Sequence, residues 1–134
     1  MRANNANKIQ GLIYPELSYK IVGSGFNVFN ELGAGLSEKI YQAALAKEFA
    51  HKNIFFEREV YIPLEYQNEN VGRYFADFIV DNKVIVELKV VSKLGYAHTK
   101  QLLGYLRSSR IKLGILLYFT NEGVKYRRVL NSMV

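Results

Sequence analysis

Apolar residues recur at spacings of three and four between Pro15 and Leu32, where Leu17, Ile21, Gly25, Val28, Phe29 and Leu32 fall on one stripe. That is the period of an amphipathic helix. Pro15 suits its first turn and Gly33 its C-cap. Gly33-Ala-Gly35 interrupts the pattern, and a second helix is predicted from about Leu36 to Lys52, with Ile40, Tyr41, Ala44, Leu45 and Phe49 on its stripe. The period then changes. Phe55–Tyr66, Val71–Val80 and Lys83–Val91 are rich in Val, Ile, Phe and Tyr and are separated by Gln-Asn-Glu-Asn and Asp-Asn turns, which predicts a three-stranded meander. Helical spacing returns from Gly95 to Arg110, with Ala97, Leu102, Leu103 and Leu106 towards the core. Leu113–Phe119 is almost wholly apolar, as a strand covered on both faces should be. Asn121-Glu-Gly123 turns the chain into a last strand, Val124–Leu130. The predicted order is ααβββαββ.

Composition narrows this to a folded α/β chain. Its 134 residues suit one domain spanning 1–134, with residues 1–14 as an N-terminal extension. No apolar run approaches the roughly 20 residues that cross a bilayer, and the polar N-terminus lacks a signal peptide's apolar stretch. Cysteine is absent, which excludes disulfides and thiol chemistry and fits a reducing, cytoplasmic setting. The net charge of +6 is one-sided: residues 1–66 carry seven basic and seven acidic residues, residues 67–134 eleven and five. Such asymmetry attracts polyanions, nucleic acid foremost; it also serves solubility.

The segment from Tyr74 to Lys89 carries the candidate chemistry. Glu87 and Lys89 stand two apart in a predicted strand and so share a face. They close the apolar run Val84-Ile-Val86, where an idle buried charge is costly. Asp77, in the preceding strand, can reach the same place. Two carboxylates beside an ammonium could hold Mg²⁺ through oxygen, with a water next to Lys89; they could also be a surface ion pair flanking a hairpin. Glu38 points within about 20° of Leu45 on the helical wheel. It also suits the first helical turn behind an N-cap Ser37. His98, Gln101 and Tyr105 form a polar line on the third helix. Gln101 could orient a water or phosphate, and Tyr105 could stack. His98 lacks a second His or Cys at ligand spacing, which argues against zinc. Neither a phosphate loop nor a nucleophile elbow is present.

Asp77…Glu87-Leu-Lys89 on a hairpin, with Glu38 on a helix before it and Gln101 on a helix after it, resembles the PD-(D/E)xK nuclease superfamily. Gly35-Leu-Ser-Glu38-Lys-Ile-Tyr41 is similar to the motif that names the GxxExxY family. Ala76 stands where the superfamily's name has proline, a position without chemistry. The resemblance implies a restriction-endonuclease-like αβββαβ core in a mixed sheet, here with an extra N-terminal helix and a C-terminal strand. It implies a nuclease dependent on Mg²⁺ or Mn²⁺, hydrolysing phosphodiester bonds. Asp77 and Glu87 would bind the metal with the Leu88 carbonyl, and Glu38 directly or through water. Lys89 would position the attacking water and stabilise the transition state, and Gln101 would support the site.

The expected partner is nucleic acid, DNA ahead of RNA, with no membrane and a homodimer left open. Lys100, Tyr105, Arg107, Arg110, Lys125, Arg127 and Arg128 are the expected contacts to it. The rival reading is a catalytically inactive nucleic-acid-binding or protein-interaction module on the same fold. A nuclease should need Mg²⁺ or Mn²⁺ and all three of Asp77, Glu87 and Lys89, whereas a binder should tolerate EDTA; the nuclease reading also makes a geometric demand. A two-residue Asp81-Asn82 loop would pair Asp77 with Val86 and place it on the face opposite Glu87. The nuclease reading therefore requires a three-residue loop, Asp81-Asn82-Lys83, with Val80 opposite Val84, or an equivalent bulge.

Overall fold

Pro15–Leu32 forms α1 and Glu38–His51 forms α2 in the computed structural model, which describes residues 13–93 and 95–134. The expected N-terminal extension lies almost entirely outside the described residues. Three antiparallel strands follow: β1 (Phe56–Tyr66), β2 (Glu69–Val80) and β3 (Val84–Val90). Helix α3 (Tyr96–Ser109) then crosses to β4 (Leu113–Thr120), which runs parallel to β3, and β5 (Gly123–Leu130) closes the order β1-β2-β3-β4-β5. This is the expected mixed sheet and element order.

Alternation on the strands builds two cores. Phe78, Val80, Val84 and Val86 pack with Ile21, Val28, Tyr41, Leu45 and Phe49 of α1 and α2. Ile79, Ile85, Leu116 and Tyr118 pack on the other face with Leu102 and Leu106 of α3. All eight residues of β4 are buried, in keeping with their unbroken apolar run. Gly114 on that strand admits α3 closely: a Cβ there would lie 2.7 Å from Leu102 Cδ2.

Some of the expected core is displaced. Ala97 is exposed, because the first turn of α3 carries no buried residue and burial begins at Leu102. Ile40 is exposed because Tyr41, Leu45 and Phe49, four apart, form a stripe too narrow to include it. Leu32 is likewise exposed in the last turn of α1. The turn after β1 is tighter than expected. Only Gln67 and Asn68 turn, both at positive φ, and β2 begins at Glu69, as in a two-residue hairpin whose backbone matches strand twist.

The loop after β2 has the required length. Val80 stands opposite Val84, Asp81 and Asn82 take φ near 52° and 55°, and Lys83 N–H donates to the Val80 carbonyl at 2.9 Å. A second device was not marked in the sequence. Glu59 holds φ 51° between the pairs Arg58–Phe78 and Val60–Ala76. Phe78 belongs to the α1/α2 core, whereas Ala76, Tyr74, Val60 and Ile62 pack on the α3 side. Strands β1 and β2 thus exchange faces together at Glu59 and Asp77.

Candidate active site

The β2–β3 ladder ends at Phe78–Val86. At the next two rungs carboxylates replace backbone carbonyls as acceptors. Asp77 N–H donates to Glu87 Oε2 at 2.8 Å, and Leu88 N–H donates to Asp77 Oδ2 at 2.9 Å. The two acids therefore meet where β2 leaves β3, held by each other's strands. Glu87 is 5% exposed. Burial, and then the Asp77 charge, push its carboxyl up to about 7. Burial also raises Asp77, opposed by the Leu88 amide, Lys89 and the neighbouring Gln42 side chain. Two carboxylates at close quarters in a dry place favour a shared proton or a shared cation.

Lys89 lies two residues beyond Glu87 and partly exposed; their register partners Tyr118 and Leu116 both belong to the α3-side core. The ring of Tyr74 stacks on Tyr105 of α3, centroids 3.3 Å apart. Both phenols are shifted up, first by burial and then by the nearby Glu87 charge. Among the described residues the Tyr74 hydroxyl, close to Glu87, has no hydrogen-bond partner of good geometry.

Glu38 approaches from α2. Gly35 at φ 95° turns the chain out of α1, a conformation that side chains disfavour. The Tyr41 hydroxyl then ties the loop, donating to the Gly33 carbonyl at 2.6 Å and accepting from Leu36 N–H at 3.2 Å. Ser37 caps the helix, its Oγ accepting from Ile40 N–H. Glu38 Oε1 accepts from Val90 N–H at 3.4 Å, just past the paired acids. Gly35, Glu38 and Tyr41 thus have one local logic: turn, acid, lock.

The structure departs from the expected constellation in four ways. Among the described residues, no three His, Cys, Asp or Glu side chains lie close enough to hold an ion together. Each of the three acids instead accepts from a backbone amide. Gln101 is exposed and makes no hydrogen bond to the acids. Gln42 on α2, one turn after Glu38, lies near Asp77 instead, and the i, i+4 spacing is the signal for it. His98 turns its ring towards Tyr118, centroids 6.1 Å apart.

The fourth departure is that the expected basic residues do not form one patch. Lys125 and Arg127 stand opposite Tyr118 and Leu116, on the α3 side, where Arg127 donates to Thr99 Oγ1 at 3.1 Å. Exposed Lys100 lies on α3 one residue beyond Thr99. Arg128 faces the other way, opposite Ile115, and donates to the Ile13 carbonyl. Arg107 is in the last turn of α3, and Arg110 caps it beside Asn82 and Lys83, at the end of the sheet away from the acids. Period 2 on β5 sends its adjacent Arg127 and Arg128 to opposite faces.

Residues 15–129 match the family model described as the PD-(D/E)XK nuclease superfamily. The chain belongs to that superfamily. Among solved structures it is similar to SSO0001, known from a crystal structure, with a TM-score of 0.56 and 24% identity over 69% of this chain. That likeness speaks to the restriction-endonuclease-like fold. This chain spans half of that protein's length. No curated protein matches it in sequence. No described helix is long and apolar enough to cross a membrane.

Proposed function

We propose that this protein is a divalent-metal-dependent nuclease acting on DNA, with Asp77, Glu87 and Lys89 as its catalytic residues. The observation that carries the reading is the pair of carboxylates that replace two rungs of the β2–β3 ladder, one of them buried, beside Lys89. A sheet gives up backbone pairing and buries acid there, at a cost in stability. The donor set is hard oxygen, which suits Mg²⁺ or Mn²⁺. Asp77 and Glu87 would hold the ion with the Leu88 carbonyl, and Glu38 would reach it through water. Bound there, the ion supplies Lewis-acid polarisation of a phosphate and a more acidic water.

The chain's own residues do the rest. Lys89 brings a cation to the face that Glu87 occupies, where it orients the attacking water and balances charge that grows on the phosphate. Gln42, beside Asp77, favours the ionised form of its carboxyl. Tyr74 and Tyr105 wall Glu87 from water. Lys100, Lys125 and Arg127 contact phosphates on the α3 side, which gives binding a steep salt dependence.

The test is incubation of plasmid, linear duplex and single-stranded DNA with the protein in Mg²⁺, Mn²⁺ or EDTA. Cleavage that needs the ion is expected. DNA binding that is indifferent to EDTA, with no cleavage in either ion, would favour an inactive binding module instead.

A further inference from the structure

The exchange of faces at Glu59 and Asp77 decides which side chains the β1–β2 ribbon shows to solvent. Beyond the switch, Val60, Ile62, Tyr74 and Ala76 turn to α3. Their neighbours Tyr61 and Phe75, cross-strand partners, take the opposite face. They are 46% and 49% exposed, with ring centroids 5.7 Å apart. The next pair on that face is Pro63–Arg73, and the Arg73 guanidinium lies 5.7 Å over the Phe75 ring. On the near side of the switch, exposed Arg58 lies 5.7 Å over the buried core ring of Phe78. Glu57 pairs with Ile79 and so faces α3. The surface is therefore a pair of open rings, one of them under Arg73, with exposed Arg58 before them, and it ends at Asp77, two residues from Phe75.

We infer that this ribbon face is a stacking platform for unpaired bases of a single DNA strand, which it leads to the carboxylates. Half-open rings dressed with guanidinium groups are how sequence-tolerant single-strand surfaces are built: bases stack on the π-faces and the cations meet the backbone. Duplex DNA hides its base faces and cannot use the rings. A purely apolar protein interface would not need Arg73 over the open Phe75 ring, whereas a polyanion with aromatic faces complements both. Two residues of strand span about 7 Å, so a base on Phe75 would place its own backbone near Asp77. The identity of the strand rests on the nuclease reading; the stacking itself does not.

The experiment measures anisotropy of a labelled oligothymidine and of a labelled duplex, in EDTA, with wild type, Tyr61→Ala, Phe75→Ala and Phe75→Leu. Wild type should prefer the single strand. Each alanine variant should lose about tenfold in single-strand affinity with duplex affinity unchanged. Phe75→Leu, which keeps apolar bulk and the fold, should also lose most of that preference. An unchanged single-strand affinity in Phe75→Leu and Phe75→Ala overturns the proposal. So does an equal loss on duplex, and so does a shift in gel filtration from dimer to monomer with DNA affinity intact, which would make the face a contact between copies. Because EDTA removes catalysis from the readout, an absence of cleavage bears on the nuclease reading alone.

Discussion

The hairpin of β2 and β3 has a closed end and an open end within a few residues of each other. At the closed end, Phe78–Val86, Ile79–Ile85 and Val80–Val84 pair backbone to backbone, and all six side chains are buried and apolar. At the open end, Asp77 and Glu87 fill the next rungs with their own carboxylates. The closed end removes apolar surface from water, which is stabilising. The open end buries charge against charge, which is not. One hairpin thus separates stability from chemistry, and the comparison can be broken at either end.

The largest effect is expected at the open end. Asp77→Asn, Glu87→Gln and Lys89→Ala should each reduce cleavage by about a thousandfold or more, with melting temperatures at or above wild type for the two amides, which relieve repulsion. Gel assays with calorimetry check both halves. Wild-type turnover in all three would remove these residues from the mechanism.

At the closed end, Ile85→Ala should destabilise by about 2–5 kcal/mol, measured by denaturant unfolding, while the folded fraction keeps its turnover per molecule. A large turnover loss at unchanged stability would mean that the two ends are not separable.

The acid pair also sets a pH dependence for the metal-free protein. Glu87 rises from an ordinary 4.5 to about 7 on folding, so the folded state binds more protons than the unfolded one between those values. Stability therefore falls as pH rises through that window, by on the order of 2 kcal/mol. Melting curves at pH 5 and pH 8 should show the fall, and Glu87→Gln should flatten it. A wild type that gains stability towards pH 8, with Glu87→Gln following the same curve, would contradict the buried pair.

The smallest effect sharpens the supporting shell. Gln42→Ala should lower cleavage by about tenfold, and Gln101→Ala by less than about twofold. The reverse ranking would restore Gln101 to the site.

The sequence carried the element order, and it carried the loop of Asp81, Asn82 and Lys83, because two acids had to share a place and period 2 allowed only one register. It did not carry the switch at Glu59. A glutamate at positive φ bears no local mark, unlike the Gly or Asn expected there, and β1 reads as one uninterrupted strand. Without that switch Tyr61 and Phe75 would read as core. Gln42 is legible one turn after Glu38, whereas Gln101 is marked only by following the acids in the chain. Along the chain Arg127 and Arg128 are neighbours; across the sheet they are on opposite faces.

Titration of Mg²⁺ and of Mn²⁺ into the protein at pH 8, followed by calorimetry, tests the paired carboxylates most directly. Wild type should bind the ion at the open end of the hairpin, Asp77→Asn and Glu87→Gln should lose that binding, and Lys89→Ala should keep it. Binding in Asp77→Asn and Glu87→Gln equal to that of wild type, or none in wild type, would contradict the account.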